Sequence, residues 1–250
     1  MAHDDAVLAH SHSHHLRPLL LGHRGARRGV PENTFLAFDK ALRDGCDGFE
    51  FDVRLSSDGR GIVCHDPILC GLEIARSNLS DLLAARTAKS SQLHCLKDVL
   101  AKYAECAFLD IELKTEGLEE ATIELLARFP AKRGAVVSSF LPEVLRRLAA
   151  LDAGLPLGFI FDNREAMRQW ELLPVSHLMP RHDLVDRRLV NEFHAAGKQV
   201  FAWTVNRERR MRSLTEMGVD ALISDDPGLL TRFRKGLYHK GLDGIRSLKA

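Results

Sequence analysis

The chain lacks the features that mark several large classes of protein. No apolar run approaches the ~20 residues that cross a membrane, so we predict no integral membrane segment. The formal net charge is only +1, so no global field favours a nucleic acid partner. The five cysteines are odd in number and lack CxxC spacing. Reduced thiols of this kind are typical of a cytoplasmic protein, and we predict that location.

The chain also lacks a glycine-rich nucleotide loop. Glycines stand at positions 22, 25 and 29 after the first apolar run, which does not give the GxGxxG spacing of a dinucleotide site. A doubly wound open sheet usually carries such a loop. That fold is therefore the alternative, and a closed α/β barrel is favoured.

The 250 residues suit one large α/β domain with a substantial core. Residues 1–16 are polar and rich in histidine, and we predict a disordered tail that binds transition metals only adventitiously. The folded domain is predicted to span residues 17–236, and a basic, glycine-containing C-terminal tail residues 237–250.

Within the domain, short apolar strands alternate with helical stripes. Strands are predicted near residues 18, 48, 107, 135, 157, 177, 199 and 221. Eight strand–helix units of this size predict a TIM (β/α)8 barrel. Asp58-Gly59 is a hairpin signal, so we expect a small hairpin excursion after strand 2. Asn33 is the expected cap of the first helix.

Two of the strands carry acids on one face. Glu50 and Asp52 alternate with phenylalanines, and Glu112 and Lys114 share a face of the next barrel strand. Acids that face a core are costly unless they are paired or hold a cation. In a TIM barrel these residues, with His23 and Arg24 after strand 1, converge at the carboxyl ends of the strands.

The residue types that meet at this end of the barrel indicate the reaction the site catalyses. Three carboxylates suit one hard divalent cation, Mg²⁺ or Ca²⁺. Arg24 and Lys114 beside such a cation would bind an anion, with phosphate the natural candidate. His23 and His65 offer a general acid and a general base, in an order that the sequence leaves open. Metal-assisted hydrolysis of a phosphate ester follows as the predicted reaction.

These residues lie in an ordered set of short motifs. HRG, PENT, EFDV, SDG, HDP, IELK, SSF, AWTVN and SDDP follow one another from about residue 20 to residue 232. The set resembles the glycerophosphodiester phosphodiesterase family. The resemblance implies a TIM barrel that uses a divalent metal to hydrolyse glycerophosphodiesters, small-molecule substrates of lipid and glycerol metabolism, to an alcohol and sn-glycerol 3-phosphate.

The resemblance also implies roles for particular residues. It makes Glu50, Asp52 and Glu112 the metal ligands and His23 and His65 the acid and base. It adds three residues to the predicted site: Phe140 and Trp203 at the site mouth and Glu32 as an outer support. Barrel packing explains the two aromatic residues almost as well, and a helix-terminal charge explains Glu32 equally well. Asn206 and Asp225 match late motifs, which helix capping explains comparably.

Two other functions are compatible with the sequence. The stretch after the HDP motif is short, which leaves the preferred alcohol undetermined. An apolar groove at the mouth would favour a lysophospholipase D. A catalytically silent barrel that binds a phosphorylated metabolite is the third hypothesis, and the complete set of histidines and carboxylates argues against it.

Overall fold

The structure, a computed structural model, describes residues 17–87 and 92–246. The predicted histidine-rich tail of residues 1–16 lies outside the described residues, as do residues 247–250. The strands are β1 (Leu19–Gly22), β2 (Gly48–Leu55), β3 (Gly61–Val63), β4 (Ile68–Leu69), β5 (Leu72–Glu73), β6 (Phe108–Leu113), β7 (Ala135–Ser139), β8 (Leu157–Phe161), β9 (His177–Pro180), β10 (Gln199–Ala202) and β11 (Ala221–Ser224). The α-helices are α1 (Phe35–Arg43), α2 (Leu79–Thr87), α3 (Leu96–Tyr103), α4 (Glu119–Arg128), α5 (Pro142–Leu151), α6 (Arg164–Met167), α7 (Arg187–Ala195), α8 (Glu208–Met217) and α9 (Pro227–Arg246).

Eight of these strands close into a parallel barrel, which confirms the predicted TIM fold. The order runs β1, β2, β6, β7, β8, β9, β10 and β11, and β1 pairs in parallel with both β2 and β11. The neighbouring strands β2 and β6 pair in a register that places Glu50 beside Asp110 and Asp52 beside Glu112. The acids of the two strands therefore lie side by side.

The alternation along β2 explains why its acids face the barrel interior. Phe49 and Phe51 are fully buried in the layer between the barrel and its helices, and Phe38 of α1 stacks on Phe49 at 4.2 Å between ring centroids. Side chains of a strand alternate in direction, so Glu50 and Asp52 point inward. Burial of these aromatic rings fixes the register of the strand, because a one-residue slip would turn the rings into the barrel interior and place the acids in the apolar layer.

The excursion after β2 is larger than the predicted hairpin. Strand β3 pairs antiparallel with β2, with Val53 opposite Val63, which confirms the hairpin itself. Strands β4 and β5, a 3-10 turn and α2 then follow before the chain returns to the barrel. Ile62, Leu69 and Leu82 belong to a small separate hydrophobic cluster beneath this segment. The excursion therefore has its own packing, and it delivers His65 to the barrel mouth.

Two local predictions need correction. The cap of α1 is Thr34, whose hydroxyl accepts a hydrogen bond from the backbone N–H of Ala37 at 3.2 Å. Asn33 is instead held in the left-handed region at φ +56°, which asparagine tolerates better than most residues. Helix α9 continues to Arg246, so the predicted tail boundary at residue 237 falls inside a helix. Single glycines lower helix stability without ending the helix.

Candidate active site

The predicted acids meet at the carboxyl end of the barrel. Glu50 and Asp52 on β2 and Glu112 on β6 each offer an oxygen atom, and the three atoms lie within 4.8 Å of one another. All three side chains are buried, with Asp52 fully so. Carboxylates this close repel one another in a dry environment, so their partners determine which of them can stay ionised.

Asp52 has the most partners of the three. Its carboxylate accepts a hydrogen bond from the Asn33 side-chain amide at 2.7 Å and lies 2.9 Å from Nζ of Lys114 and 3.1 Å from Nε of Arg24. Burial opposes ionisation here, but the charges of Lys114 and Arg24 outweigh it and hold the pKa of Asp52 below its usual value. Asp52 is therefore the anchored anion of the cluster.

Asn33 is a site residue that the sequence analysis missed. Its side-chain oxygen also accepts the backbone N–H of Asp52 at 3.3 Å, so the two residues bond reciprocally. The left-handed backbone at Asn33 turns its amide toward β2 instead of toward the helix. The PENT motif contains this residue, but a cap explained the asparagine equally well from sequence.

Glu50 and Glu112 are less well satisfied. Burial raises the pKa of Glu50 well above its usual value, and the charges of Asp52 and Glu112 raise it further. Burial likewise raises the pKa of Glu112 to about 7, although Lys114 lies 2.5 Å from its Oε1 atom. Oε1 of Glu50 is buried and has no hydrogen-bond partner among the described residues.

The cluster fits a divalent cation. It presents three carboxylates and no sulfur or imidazole ligand within the same group of atoms, which is the oxygen-rich set that Mg²⁺ and Ca²⁺ prefer. A cation among these oxygens would also satisfy the buried Oε1 atom of Glu50 and relieve the mutual repulsion that raises two of the three pKa values. The residues present are therefore suited to hold the predicted metal.

The two histidines reach the same cavity from different loops. His23 follows β1, and its Nδ1 atom lies 2.6 Å from Oδ1 of Asp225 while its Nε2 atom is 3.8 Å from Glu50. Burial lowers the pKa of His23. His65 comes from the excursion after β2, and its Nδ1 atom lies 2.8 Å from Oδ1 of Asp66. Both imidazoles thus have a carboxylate partner on one nitrogen, which leaves the other nitrogen available.

Asp225 and Asn206 do not cap helices. Asp225 accepts a hydrogen bond from the side-chain amide of Asn206 at 2.7 Å on the oxygen that does not contact His23. The cap of α9 is the next residue, Asp226, whose carboxylate accepts the backbone N–H of Leu229. The late motifs therefore orient His23, a role that the sequence could not separate from capping.

Arg24 and Glu32 form an outer layer on one side of the acids. Nη1 of Arg24 donates to Oε1 of Glu32 at 2.8 Å, and Arg27 also pairs with Glu32 at 3.0 Å. The backbone N–H of Arg24 donates to Oε2 of Glu50 at 2.8 Å. Glu32 therefore contacts the acid cluster through Arg24.

A cavity of about 170 Å³ opens above the acids. Its lining residues are His23, Arg24, Glu50, His65, Asp110, Glu112, Lys114, Phe140, Ile160, Met179, Trp203 and Ile223. Phe140 and Trp203 meet edge to face at 5.6 Å between centroids, and Nζ of Lys114 lies 5.6 Å from the Phe140 ring. One wall is thus charged and the opposite wall is apolar.

Asp110 lines the cavity and is a further charged residue absent from the predicted site. It shares the inward face of β6 with Glu112 and accepts a hydrogen bond from the Ser138 hydroxyl at 2.6 Å. Burial raises the pKa of Asp110 to about 7. The alternation of β6 puts Asp110 on the same face as Glu112, but its depth in the barrel depends on the strand register.

Acids, histidines and cationic side chains at the carboxyl ends of a closed parallel barrel define an enzyme of the TIM-barrel class that is built to act on an anionic substrate. The model of the glycerophosphoryl diester phosphodiesterase family matches residues 23–229. The chain therefore belongs to this family and is a phosphodiesterase.

Similar proteins and solved structures agree with this assignment. A glycerophosphodiester phosphodiesterase of Caldanaerobacter subterraneus subsp. tengcongensis is 28% identical, with 88% of this chain and 100% of the relative covered. The solved glycerophosphodiester phosphodiesterase of Thermotoga maritima is 26% identical with a TM-score of 0.75, over 88% of this chain and 99% of that one. A phosphodiesterase of Oleispira antarctica, solved with its product sn-glycerol-3-phosphate, is 28% identical with a TM-score of 0.75, over 87% of this chain and 97% of that one. None of the described helices is long and apolar enough to cross a bilayer.

Proposed function

We propose that the protein hydrolyses glycerophosphodiesters to an alcohol and sn-glycerol 3-phosphate, with one divalent cation, Mg²⁺ or Ca²⁺, held by Glu50, Asp52 and Glu112. The observation that carries the proposal is the meeting of those three carboxylates within 4.8 Å, beside a cavity that both histidines line. A cytoplasmic location and a place in lipid or glycerol metabolism remain predictions.

The charged wall of the cavity gives each residue a role. The cation would supply charge stabilisation to the phosphoryl oxygens. Arg24 and Lys114 bind the remaining phosphate charge, since both lie beside the acids and line the cavity. Asn33 and Glu32 position Asp52 and Arg24 respectively. Phe140 and Trp203 form the apolar wall against which the carbon atoms of the substrate pack.

His23 and His65 move the protons. A water oxygen forms a new bond to phosphorus, and the bond from phosphorus to the leaving alcohol oxygen breaks. One histidine takes a proton from the water, and the other gives a proton to the leaving oxygen, so that a monoester and an alcohol result. Asp225 holds Nδ1 of His23 and so directs Nε2 toward the cavity. The order of the two histidines stays open.

A lysophospholipase D activity is the second candidate, since apolar side chains stand exposed on segments that follow the carboxyl ends of barrel strands. Phe140 and Leu141 follow β7 and are each 37% exposed, and Ile68 in the excursion is 59% exposed. An acyl chain leaving the cavity past Phe140 would cover such side chains. The two activities differ in the substrate and share the same metal and histidines.

The test is product release from matched substrates. The protein, supplied with Mg²⁺ or Ca²⁺, is incubated with glycerophosphocholine, glycerophosphoethanolamine and lysophosphatidylcholine, and sn-glycerol 3-phosphate, lysophosphatidic acid and choline are measured. Glycerol 3-phosphate from the first two substrates supports the proposal. Lysophosphatidic acid from lysophosphatidylcholine, with no glycerol 3-phosphate from the other two substrates, supports the lysophospholipase D activity. No product from any of them contradicts both and leaves the silent barrel.

A further inference from the structure

A second cavity lies on the same end of the barrel as the active site, outside the ring of strands. It measures about 500 Å³ and runs between the loop after β9 and the first half of α8. We call it the rim groove, defined by its lining residues His182, Asp183, Val185, Arg207, Arg209, Arg210 and Ser213. No motif of the sequence analysis falls on this groove.

The rim groove carries uncompensated positive charge. Arg207 and Arg209 are exposed, and neither forms an ion pair within the described part of the chain. The nearest acid on α8, Glu208, is paired with Arg212 at 3.1 Å. The acid in the lining, Asp183, is neutralised by Nε and Nη2 of Arg181 at 2.7 and 2.9 Å. The chain as a whole is nearly neutral, at +1, so this is a local concentration of charge.

The floor of the groove is fixed by Arg210. Its Nη2 atom donates to the backbone carbonyls of His182 and Val185, the latter at 2.8 Å, which ties α8 to the loop after β9. Guanidinium groups held in place lose less side-chain entropy when they bind a ligand than free ones do. The groove therefore has a rigid cationic base with two exposed arginines above it.

His182 shows the local excess of positive charge. Its Nδ1 atom is buried and has no hydrogen-bond partner in the described residues. Burial lowers the pKa of His182, and the neighbouring charges lower it further. The Asp183 carboxylate raises this pKa, but the positive charges of Arg210, Arg181 and Arg207 together outweigh it. An anion in the groove would reverse this balance and stabilise the imidazolium form.

The rim groove adjoins the active site through Trp203. The backbone N–H of His182 donates to the carbonyl of Trp203 at 2.6 Å, and Arg181 pairs with Trp203 as a parallel β-bridge. The Trp203 side chain lines the active-site cavity. Arg207 follows Trp203 by four residues, so their Cα atoms are at most about 14 Å apart. Trp203 is thus the residue past which a substituent would extend from the cavity toward the arginines.

We propose that the rim groove binds a second phosphate group, carried by the leaving alcohol of the substrate, so that the enzyme prefers glycerophosphodiesters whose alcohol is itself phosphorylated. Guanidinium forks match the geometry of phosphate oxygens. The inference rests on the proposed hydrolysis for its kinetic consequence, and its binding consequence is measured separately.

The kinetic experiment compares glycerophosphoinositol with the positional isomers of glycerophosphoinositol monophosphate, each of which carries one added phosphate on the inositol ring. We expect at least one isomer to show kcat/KM about 10-fold higher than glycerophosphoinositol, equivalent to about 1.4 kcal/mol. R207Q/R209Q should abolish this preference and leave kcat/KM for glycerophosphoinositol unchanged. K132Q/R133Q removes the same charge from exposed residues just before β7, at the opposite end of the barrel, and should retain the preference. A wild-type ratio near one for every isomer, or a preference that survives in R207Q/R209Q, would overturn the proposal.

A binding experiment separates the failure of this proposal from failure of the hydrolysis. With histidines labelled by ¹³C and assigned by a H182Q variant, inorganic phosphate should raise the pKa of His182 in the wild-type protein and not in R207Q/R209Q. If no diester is hydrolysed and this shift is seen, the proposed function fails while the anion site stands. If the shift is seen but active enzyme shows no preference, the groove binds free phosphate only and the substrate role is wrong. No shift of the His182 pKa at any phosphate concentration in the titration overturns the site itself.

Discussion

Nδ1 of His23 lies 2.6 Å from Oδ1 of Asp225, a residue 202 positions further along the chain. The two meet because β1 pairs with β11, with Gly22 opposite Ser224, so that the next residue of each strand emerges at the same point of the rim. Closure of the barrel thus assembles a histidine–carboxylate pair from the two ends of the domain.

The pair predicts a catalytic role for Asp225 in orienting the imidazole. In D225N a neutral amide replaces the carboxylate that accepts the hydrogen bond from Nδ1–H of His23. The required tautomer and orientation of His23 are therefore lost. We expect kcat to fall by roughly 10²-fold or more, as is typical for removal of such support. The measurement is steady-state glycerol 3-phosphate release, with far-UV circular dichroism as the check on folding.

The neighbouring acid supplies a matched control. Asp226 caps α9 and pairs with Arg28 at 3.1 Å, away from His23. D226N keeps a side chain that caps as well as aspartate and loses only the exposed ion pair with Arg28, so its stability and its kcat should both change little. Equal kcat in D225N and D226N would contradict the role given to Asp225.

Asn33 is expected to determine metal affinity. Its amide holds Asp52 in both directions, and loss of such an outer partner typically weakens metal binding by about 10–100-fold. The left-handed backbone at position 33 strains alanine but not glycine. N33G therefore removes the amide without strain, while N33A removes it with strain. Calorimetric Ca²⁺ and Mg²⁺ titrations should show a weaker Kd in both variants, and a wild-type Kd in N33G would refute the role.

His177 predicts how stability depends on pH. It lies at the start of β9 with 8% of its surface exposed, and burial lowers the pKa of His177. The unfolded chain binds the proton near its ordinary pKa of about 6.5, and the folded state does not. Protonation therefore favours the unfolded state, so this contribution to stability is complete above about pH 7.5 and falls as the pH drops below about 6.5.

The variant H177Q isolates that contribution. Urea unfolding at about pH 7.5 and pH 5.5 should show a loss of up to about 1.4 kcal/mol per pH unit below 6.5 in the wild-type protein, and a smaller loss in H177Q. Because both proteins are measured in the same buffers, the contribution of the other histidines to the pH dependence is the same in both and cancels in the comparison. An identical pH dependence of the two proteins would show that His177 titrates normally.

The sequence predicted the barrel because its evidence is periodic. The alternation around Glu50 and Asp52 recurs around Glu112, and apolar burial of Phe49 and Phe51 enforces it. Once the order of the strands is accepted, the carboxyl ends of β1, β2 and β6 must meet. That is why the predicted metal ligands and cationic residues lie together at one end of the barrel.

The residues that sequence reasoning missed depend on tertiary pairing. Asn33 and Asp225 each had a local explanation as a cap, and only the positive φ at Asn33 and the pairing of β1 with β11 show otherwise. Asp110 requires the register of β2 against β6 to place it beside Glu50. Periodicity in the sequence tells which face of a strand a side chain occupies. Which residue of the neighbouring strand lies beside it is determined by the register of the closed barrel.

The most direct test of the account is metal-dependent turnover of glycerophosphocholine. The wild-type protein is stripped with EDTA, dialysed, and given Mg²⁺ or Ca²⁺, while release of sn-glycerol 3-phosphate is followed beside E112Q and H23A. The account predicts no release from the stripped protein, recovery with at least one cation, weakened metal binding in E112Q, and a loss of roughly 10²–10⁴-fold in H23A at saturating metal. Full activity in the stripped protein, or near wild-type turnover in H23A, would contradict it.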